Sequence, residues 1–289
     1  MNDFMAFGEI LFDCFEDGRS VLGGAPLNVT YHMSRLGMDS SIISALGRDV
    51  LGLRALEEMK SLDVDTSRVA VLDDRPTGRA DITLCDGDAD YTFNSPAAWD
   101  DIPLPQALPS HVGCMYFGTL AQRSAVSRSS LMRLLETVDA DMVFYDVNIR
   151  KDFYSRDILG WSLSRADVLK VNGDELPLIC STLETDEESL MKEYGLEMMI
   201  VTQGAQGSTL YLQDGTRHHQ TPSPCNVVDS VGAGDSLCAG FIATMLRTGD
   251  PVRALEVGTM IADYVITRRG ATPGYDEGLI GRLESIGAL

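Results

Sequence analysis

Basic side chains are scarce in this chain. It carries 23 Lys and Arg against 43 Asp and Glu, for a formal net charge of -20. A field of that sign repels nucleic acid and anionic membrane, so neither is expected as a partner. Any anion site must then be assembled from backbone N–H groups, a few arginines and a bridging cation. Long hydrophobic runs are missing as well. No stretch approaches the length of a transmembrane helix. The first residues, Met1 to Glu9, hold no basic segment and no long apolar one, so no signal peptide is expected. Cysteine and histidine offer no pattern either. The six cysteines (Cys14, Cys85, Cys114, Cys180, Cys225, Cys238) are scattered without a C-x-x-C, and His32, His111, His218 and His219 have no ligand spacing. Reduced, mostly buried thiols in a cytoplasmic protein are the expectation.

What is present has the rhythm of an α/β chain. Its 289 residues suffice for one large α/β domain or two small ones, and 44% hydrophobic with 23% charged residues is ordinary for a soluble protein. Phe4 to Asp13 reads as one apolar strand of a parallel sheet covered on both faces. A helix follows from Pro26, with Val29, Met33 and Leu36 on one face and Gly37 ending it. Strands are expected over 40–46, 113–118, 142–146, 167–171 and 198–202, with helices over 50–61, 124–138, 155–164, 234–248 and 251–268. The runs 208–212 and 217–221 look like an antiparallel pair. Thr185-Asp186-Glu187-Glu188 reads as a capping box. Thr77 to Asn94 breaks the rhythm: β-formers alternate on both sides of Asp86-Gly87-Asp88, a hairpin signal.

The chain's most informative stretch is Val228-Asp229-Ser230-Val231-Gly232-Ala233-Gly234-Asp235-Ser236-Leu237-Cys238-Ala239-Gly240-Phe241. It is a glycine turn that opens directly into a helix. Leu237, Phe241 and Met245 repeat along one stripe of that helix. Its first turn offers unpaired N–H groups and a partial positive charge, which suits a phosphate. Asp235 in that turn is either a plain cap or a general base beside a bound phosphate. Three other groups stand just beyond expected strands, where ligands bind in open α/β sheets. Asp13 is a turn carboxylate or a ligand contact. Arg150, in Asp146-Val147-Asn148-Ile149-Arg150, neutralises phosphate or pairs with a helix carboxylate. Asn172-Gly173-Asp174-Glu175 is a capped helix start or a cation and phosphate site.

The glycine stretch closely resembles the C-terminal signature of the ribokinase-like (PfkB) carbohydrate kinases. Gly23-Gly24-Ala25-Pro26-Leu27-Asn28, running on to Leu36-Gly37, is similar to their N-terminal half-signature. Gly47-Arg48-Asp49-Val50-Leu51-Gly52, Thr202-Gln203-Gly204-Ala205-Gln206-Gly207 and Arg269-Gly270-Ala271-Thr272-Pro273 resemble further family turns, in the expected order. The resemblance implies a three-layer α/β/α ribokinase-like fold with a mostly parallel central sheet. It implies a single kinase domain over 1–289, with a small β lid from about 77–95 and parts of about 13–22. The lid would cover the sugar, exclude water and offer a surface for a homodimer.

The resemblance also assigns roles. Asp235 would be the catalytic base, and the backbone of Gly232, Ala233 and Gly234 an anion hole. Asp13, Gly23, Gly24 and Asn28 would hold sugar hydroxyls, with Arg150 near the sugar and the transferred phosphate. Asn172, Thr202, Gly204 and Gly207 would serve the nucleotide. Glu175 would act through water on Mg²⁺, and the segment at Asp229 and Val231 would cradle K⁺. ATP is the implied phosphoryl donor. Ala98-Trp99-Asp100, Phe117-Gly118-Thr119-Leu120-Ala121-Gln122-Arg123-Ser124 and the Asp146–Arg156 run look most like bacterial fructokinases within the family. Fructose is thus the first expected acceptor, with 2-keto-3-deoxygluconate, ribose or a nucleoside behind it. A keto acid would need a cationic partner from Arg79, Arg123 or Arg150, whereas Tyr91 and Phe93 leave room for a base. A catalytically silent sugar- or nucleotide-binding regulator would require a damaged G-A-G-D or N-x-x-E, and both are intact.

Overall fold

The computed structural model describes residues 3–85 and 88–289. Its first part runs β1 (Phe4–Phe7), β2 (Leu11–Phe15), β3 (Ser20–Gly23), α1 (Ala25–Arg35), β4 (Ser40–Gly47), α2 (Val50–Ser61), β5 (Val69–Leu72), β6 (Gly78–Cys85) and β7 (Asp88–Phe93). The middle holds β8 (His111–Gly118), α3 (Ala125–Thr137), β9 (Asp139–Asp146), α4 (Arg156–Leu163), β10 (Val168–Asn172), α5 (Glu175–Leu183), α6 (Glu187–Tyr194) and β11 (Met198–Thr202). The chain closes with β12 (Ser208–Leu212), β13 (Arg217–Gln220), α7 (Ala233–Thr248), α8 (Pro251–Ile266) and α9 (Glu277–Ser285).

A nine-stranded sheet in the order β13-β12-β11-β10-β9-β8-β1-β4-β5 forms the middle layer. Every neighbour from β11 to β5 is parallel, and β12 and β13 add an antiparallel edge. Strand alternation sends Phe4 and Ala6 to one apolar core, shared with α1, α2, α7, α8 and α9. Met5 and Phe7 go to the other, shared with α3, α4, α5 and α6. Both faces are therefore covered, which is why β4 is buried at all of its positions and carries no alternating pattern. The architecture is the three-layer α/β/α ribokinase-like arrangement. Among the described residues no helix is long and apolar enough to cross a membrane.

The N-terminal run differs from expectation. Phe4 to Asp13 is not one strand. The chain leaves the main sheet after Phe7, turns through Gly8 (φ 154°), and re-enters as β2 in a separate four-stranded sheet ordered β3-β2-β6-β7. There β2 pairs antiparallel with β3 and parallel with β6. The continuous hydrophobicity that suggested a single strand arises because both sheets bury this segment. The hairpin of β6 and β7 is antiparallel as expected; the proposed turn at Asp86-Gly87 lies outside the described residues.

Local chemistry fixes the connections. Asp49 caps α2 by accepting from the Gly52 N–H, and its other oxygen accepts from the Thr77 N–H, which roots β6 beside β4. Asp250 caps α8 through the Val252 and Arg253 N–H groups, with Pro251 opening the helix. The cap of α6 is Asp186, which accepts from Glu188 and Ser189, and not Thr185 as the box motif suggested. Strands β3 and β5 and helix α9 carried no clear sequence signal; each is short and packs chiefly by tertiary context.

Candidate active site

The C-terminal ends of the parallel strands, the start of α1, the start of α7 and the second sheet surround a cleft of about 390 Å³. A surface groove beside α8, lined by Asp250, Arg253 and Glu256 among others, holds none of the residues singled out from the sequence.

Two helix starts face each other across the cleft. Gly232 precedes α7 in the left-handed region (φ 79°), and a Cβ there would stand 2.6 Å from the Ala271 Cα. Only glycine fits a turn both left-handed and pressed against the 270–271 loop. Asp229 ties the same two loops: its carboxylate accepts from the Val231 and Gly270 N–H groups. Asp235 follows in the first turn of α7. On the other side, Gly24 (φ 115°) precedes α1, and a Cβ there would lie 2.4 Å from the Glu9 carbonyl oxygen. This close approach puts Asn28, one turn into α1, opposite Asp235. The Asn28 Nδ2 donates to Asp235 Oδ2 at 2.7 Å. The Asn28 Oδ1 is buried without a hydrogen-bond partner. A buried acceptor left open at the cleft can take a donor from water or from a ligand.

Burial, reinforced by the Asp146 carboxylate, pushes the Asp235 carboxyl up to about 6, against the opposing pull of Asn28, Lys170 and Arg150. Burial likewise raises Glu9 to about 7 and Asp13 to about 6, with Arg150 pulling both back. All three carboxyls line the cleft. A carboxylate near 6 is ionised at neutral pH yet basic enough to accept a proton, which is what a general base requires.

Of the residues singled out from the sequence, Asp13, Gly24, Asn28, Arg150, Asn172, Thr202, Val231, Gly232, Gly234 and Asp235 line this one cleft. Asp13 reaches it from β2 in the second sheet, not from the end of a central strand as the sequence suggested. Gly23 sits beside it, where a Cβ would be 3.3 Å from Asp13 Oδ2. Ala233 opens α7 between the two glycines. Glu175 is buried, and its carboxylate accepts from the Ile149 and Asn172 N–H groups, both at 2.8 Å. The Asn172 side-chain Oδ1 in turn accepts from the Asp174 and Glu175 N–H groups. This pair locks the β9 and β10 ends together at the cleft floor. Gly204 and Gly207 lie in the turn after β11, outside the cleft lining; Gly207 packs against the Gln220 carbonyl of β13.

Of the three arginines considered for a carboxylate ligand, Arg150 alone lines the cleft. Arg123 is buried, forked onto Asp100 at 2.7 and 2.8 Å and stacked over Trp99 at 3.7 Å. Arg79 pairs with Asp81 on the second sheet.

Asn148, of the Asp146–Arg150 element, also lines the cleft, and three polar cleft groups were not singled out beforehand: Glu9, Lys170 and Ser230. The signal for Lys170 was available. A lysine inside the apolar strand Val168-Leu169-Lys170-Val171 must be paired or functional, because charged side chains are rarely fully buried. Among the described residues no cluster of three or more His, Cys, Asp and Glu could cage a metal directly.

The description "pfkB family carbohydrate kinase" matches residues 14–277. A fructokinase of Escherichia coli is 28% identical over 86% of this chain and 87% of its own length. A nucleoside kinase of Methanothermobacter thermautotrophicus is 27% identical over 87% of this chain and 80% of its own. The structure of an uncharacterized sugar kinase from Pyrococcus horikoshii in complex with ATP superposes with a TM-score of 0.86 at 22% identity, covering 99% of this chain and all of that one.

Proposed function

The chain belongs to the pfkB family of carbohydrate kinases and is a phosphotransferase, and on that premise we propose that it moves the γ-phosphoryl group of ATP to a hydroxyl of a neutral sugar, fructose first. The observation that carries this reading is the Asn28–Asp235 pair with its orphaned Asn28 Oδ1. A sugar presents adjacent hydroxyls. One donates to Oδ1 while its neighbour gives its proton to Asp235.

The chemistry is a single displacement. The acceptor hydroxyl loses its proton to the Asp235 carboxylate. Its oxygen forms a bond to the γ-phosphorus as the bond to the β,γ-bridging oxygen breaks, and ADP leaves. The N–H groups of Gly232 and Gly234 at the α7 start would face the moving group, where positive partial charge is worth most; the Ala233 N–H, expected from the sequence to join them, donates to the Ser230 carbonyl at 3.3 Å. Thr202 and Asn172 at the ends of β11 and β10 hold the phosphate chain, and the Gly204–Gly207 turn serves the nucleotide beyond it. Mg²⁺, bound to the phosphates, would screen their charge, with Asn172 and Glu175 as supports through water. K⁺ at the 229–231 and 270–271 loops belongs to the same reading, with Asp229 as the tie that keeps the two loops together. The second sheet acts as the cover.

Charge favours a neutral acceptor. Glu9, Asp13 and Asp235 oppose an anion in the acceptor half of the cleft, with Arg150 as the cationic counterpart there. A specific observation supports a second reading: Tyr91 and Phe93 line the cleft with rings stacked at 6.3 Å, a surface on which a nucleoside base could lie. ADP release is the test, with Mg-ATP and fructose, 2-keto-3-deoxygluconate, ribose or adenosine, each with and without K⁺. Preference for fructose supports the first reading. Turnover confined to adenosine would replace it with the second, and turnover confined to the keto acid would reassign Arg150 as a carboxylate partner.

A further inference from the structure

Lys170 is the most deeply placed cation of the cleft. It sits in β10, is 7% exposed, and donates to Asp146 Oδ1 at 3.0 Å. Asp146, 1% exposed, is held on its other oxygen by the Tyr116 hydroxyl at 2.9 Å, with Cys238 Sγ at 3.9 Å. A Cβ added at Gly234 would stand 3.2 Å from Lys170 Nζ. The ammonium therefore lies directly against the glycine turn that opens α7, and both line the same cleft. An ammonium has three protons to donate. Among the described residues its one hydrogen-bond acceptor is Asp146, so two protons remain for whatever occupies the cleft beside Gly234.

We propose that Lys170 is a phosphoryl-binding residue: Asp146 holds its ammonium beneath Gly234, where it neutralises the charge that develops on the phosphoryl group in transfer. This rests on the kinase reading above. A buried pair present only for stability would be a weak device, since desolvating both charges costs about what their attraction returns. A charge-neutral Met and Asn in place of the pair would then do as well. Facing the anion hole, the lysine instead supplies a preorganised full charge where the turn supplies only backbone dipoles. The glycine at 234 has a matching reason: any larger side chain would stand between Nζ and the turn. Burial works against the charged form, but the Asp146 carboxylate, helped by Glu175, outweighs it and holds the lysine protonated.

The test separates charge on the phosphoryl group from neutralisation of Asp146. Lys170→Met alone leaves a buried carboxylate unpaired and endangers folding. The double variant Lys170→Met with Asp146→Asn removes both charges and keeps both shapes. Two quantities are read on wild type and double variant: kcat against sugar KM, and the tightening of ADP binding when aluminium fluoride and sugar are added to mimic the group in flight. The expected result is a kcat lowered roughly 100-fold or more, sugar KM and plain ADP affinity within about threefold, and the aluminium fluoride tightening lost. A double variant with wild-type kcat and tightening would overturn the proposal and leave Lys170 as the partner of Asp146 only. A wild type that transfers no phosphoryl group to any acceptor, and shows no tightening, would instead bring down the kinase reading itself.

Discussion

Asp235 carries two consequences that a single substitution separates. As the proton acceptor it works only when ionised, so kcat should fall as pH drops through about 6. Asp235→Asn should lower kcat by roughly 10²- to 10⁴-fold while ADP binding stays within a few-fold, read by steady-state kinetics and calorimetry. Retained turnover would reassign the base. The same carboxyl is a burden on the fold. Its folded pKa lies above the ordinary 3.8, so the native state binds this proton more tightly than the unfolded chain does. Its contribution therefore favours folding below about pH 4 and is lost as pH rises through about 6; Glu9, raised to about 7, and Asp13 act in the same sense. Asn cannot ionise. Asp235→Asn should thus melt above wild type at pH 8, by at most roughly 3 kcal/mol of stability, and the gap should close towards pH 4. An inactive variant with an unchanged or lower Tm at pH 8 would show that burial of this charge is not what raises its pKa.

At the scale of elements, the placement of Asp235 depends on how α7 lies on α8. The two helices cross at glycines: a Cβ on Gly240 would stand 2.8 Å from the Gly258 Cα, and one on Gly258 would stand 2.6 Å from the Leu237 carbonyl oxygen. Backbone against backbone cannot yield as a side chain can. Gly240→Val should therefore cost about 1–3 kcal/mol by overpacking. It should also shift the start of α7, nearly two turns away, away from Asn28. We expect kcat to fall by up to about 100-fold with the 2.7 Å Asn28–Asp235 bond broken, measured by turnover and by the Tm. A destabilised variant with full kcat would mean that the turn at 229–233 fixes Asp235 independently of the helix crossing.

Elements also explain what could be read beforehand. The start of α7 was legible because its local structure and its proposed role use the same letters: the glycines that bend the chain are those that would bare its N–H groups. Asn28 was legible for the same reason at the start of α1. The N-terminal strand was not, because Phe4–Phe7 and Leu11–Phe15 are apolar alike and the break at Gly8 comes from two sheets diverging, a tertiary event. Asp13 lines the cleft, but from the second sheet and not from the central one where the sequence put it. Glu175 could be read as part of a helix start or of a cation site after a strand; that its two oxygens staple the Ile149 and Asn172 backbones together depends on β9 and β10 being neighbours. Lys170 stands two residues before the N-x-x-E motif and belongs to no pattern itself; its pairing with Asp146 appears only when β9 and β10 lie side by side.

At the scale of the whole molecule the dominating fact is charge. A net -20 surrounds a cleft that must admit a polyphosphate. The local cations, Arg150 and Lys170, act over a few ångströms at the cleft itself, where salt screens little. The surrounding carboxylates act over tens of ångströms through water, where it screens well. Raising an inert salt from about 0.01 to about 0.15 M shortens the screening length from roughly 30 to roughly 8 Å. It should therefore remove the distant repulsion and leave the local attraction. Expected is a KM for Mg-ATP that falls roughly two- to fivefold over that range, mostly through faster association, while the KM for a neutral sugar stays constant. Choline chloride is the salt to use, since K⁺ and Na⁺ could act at the 229–231 loop. A KM for Mg-ATP that rises with salt would mean that the cleft's own positive potential extends into solvent and outweighs the acidic surface. Substrate capture would then be steered by Arg150 and Lys170 and not merely permitted by them.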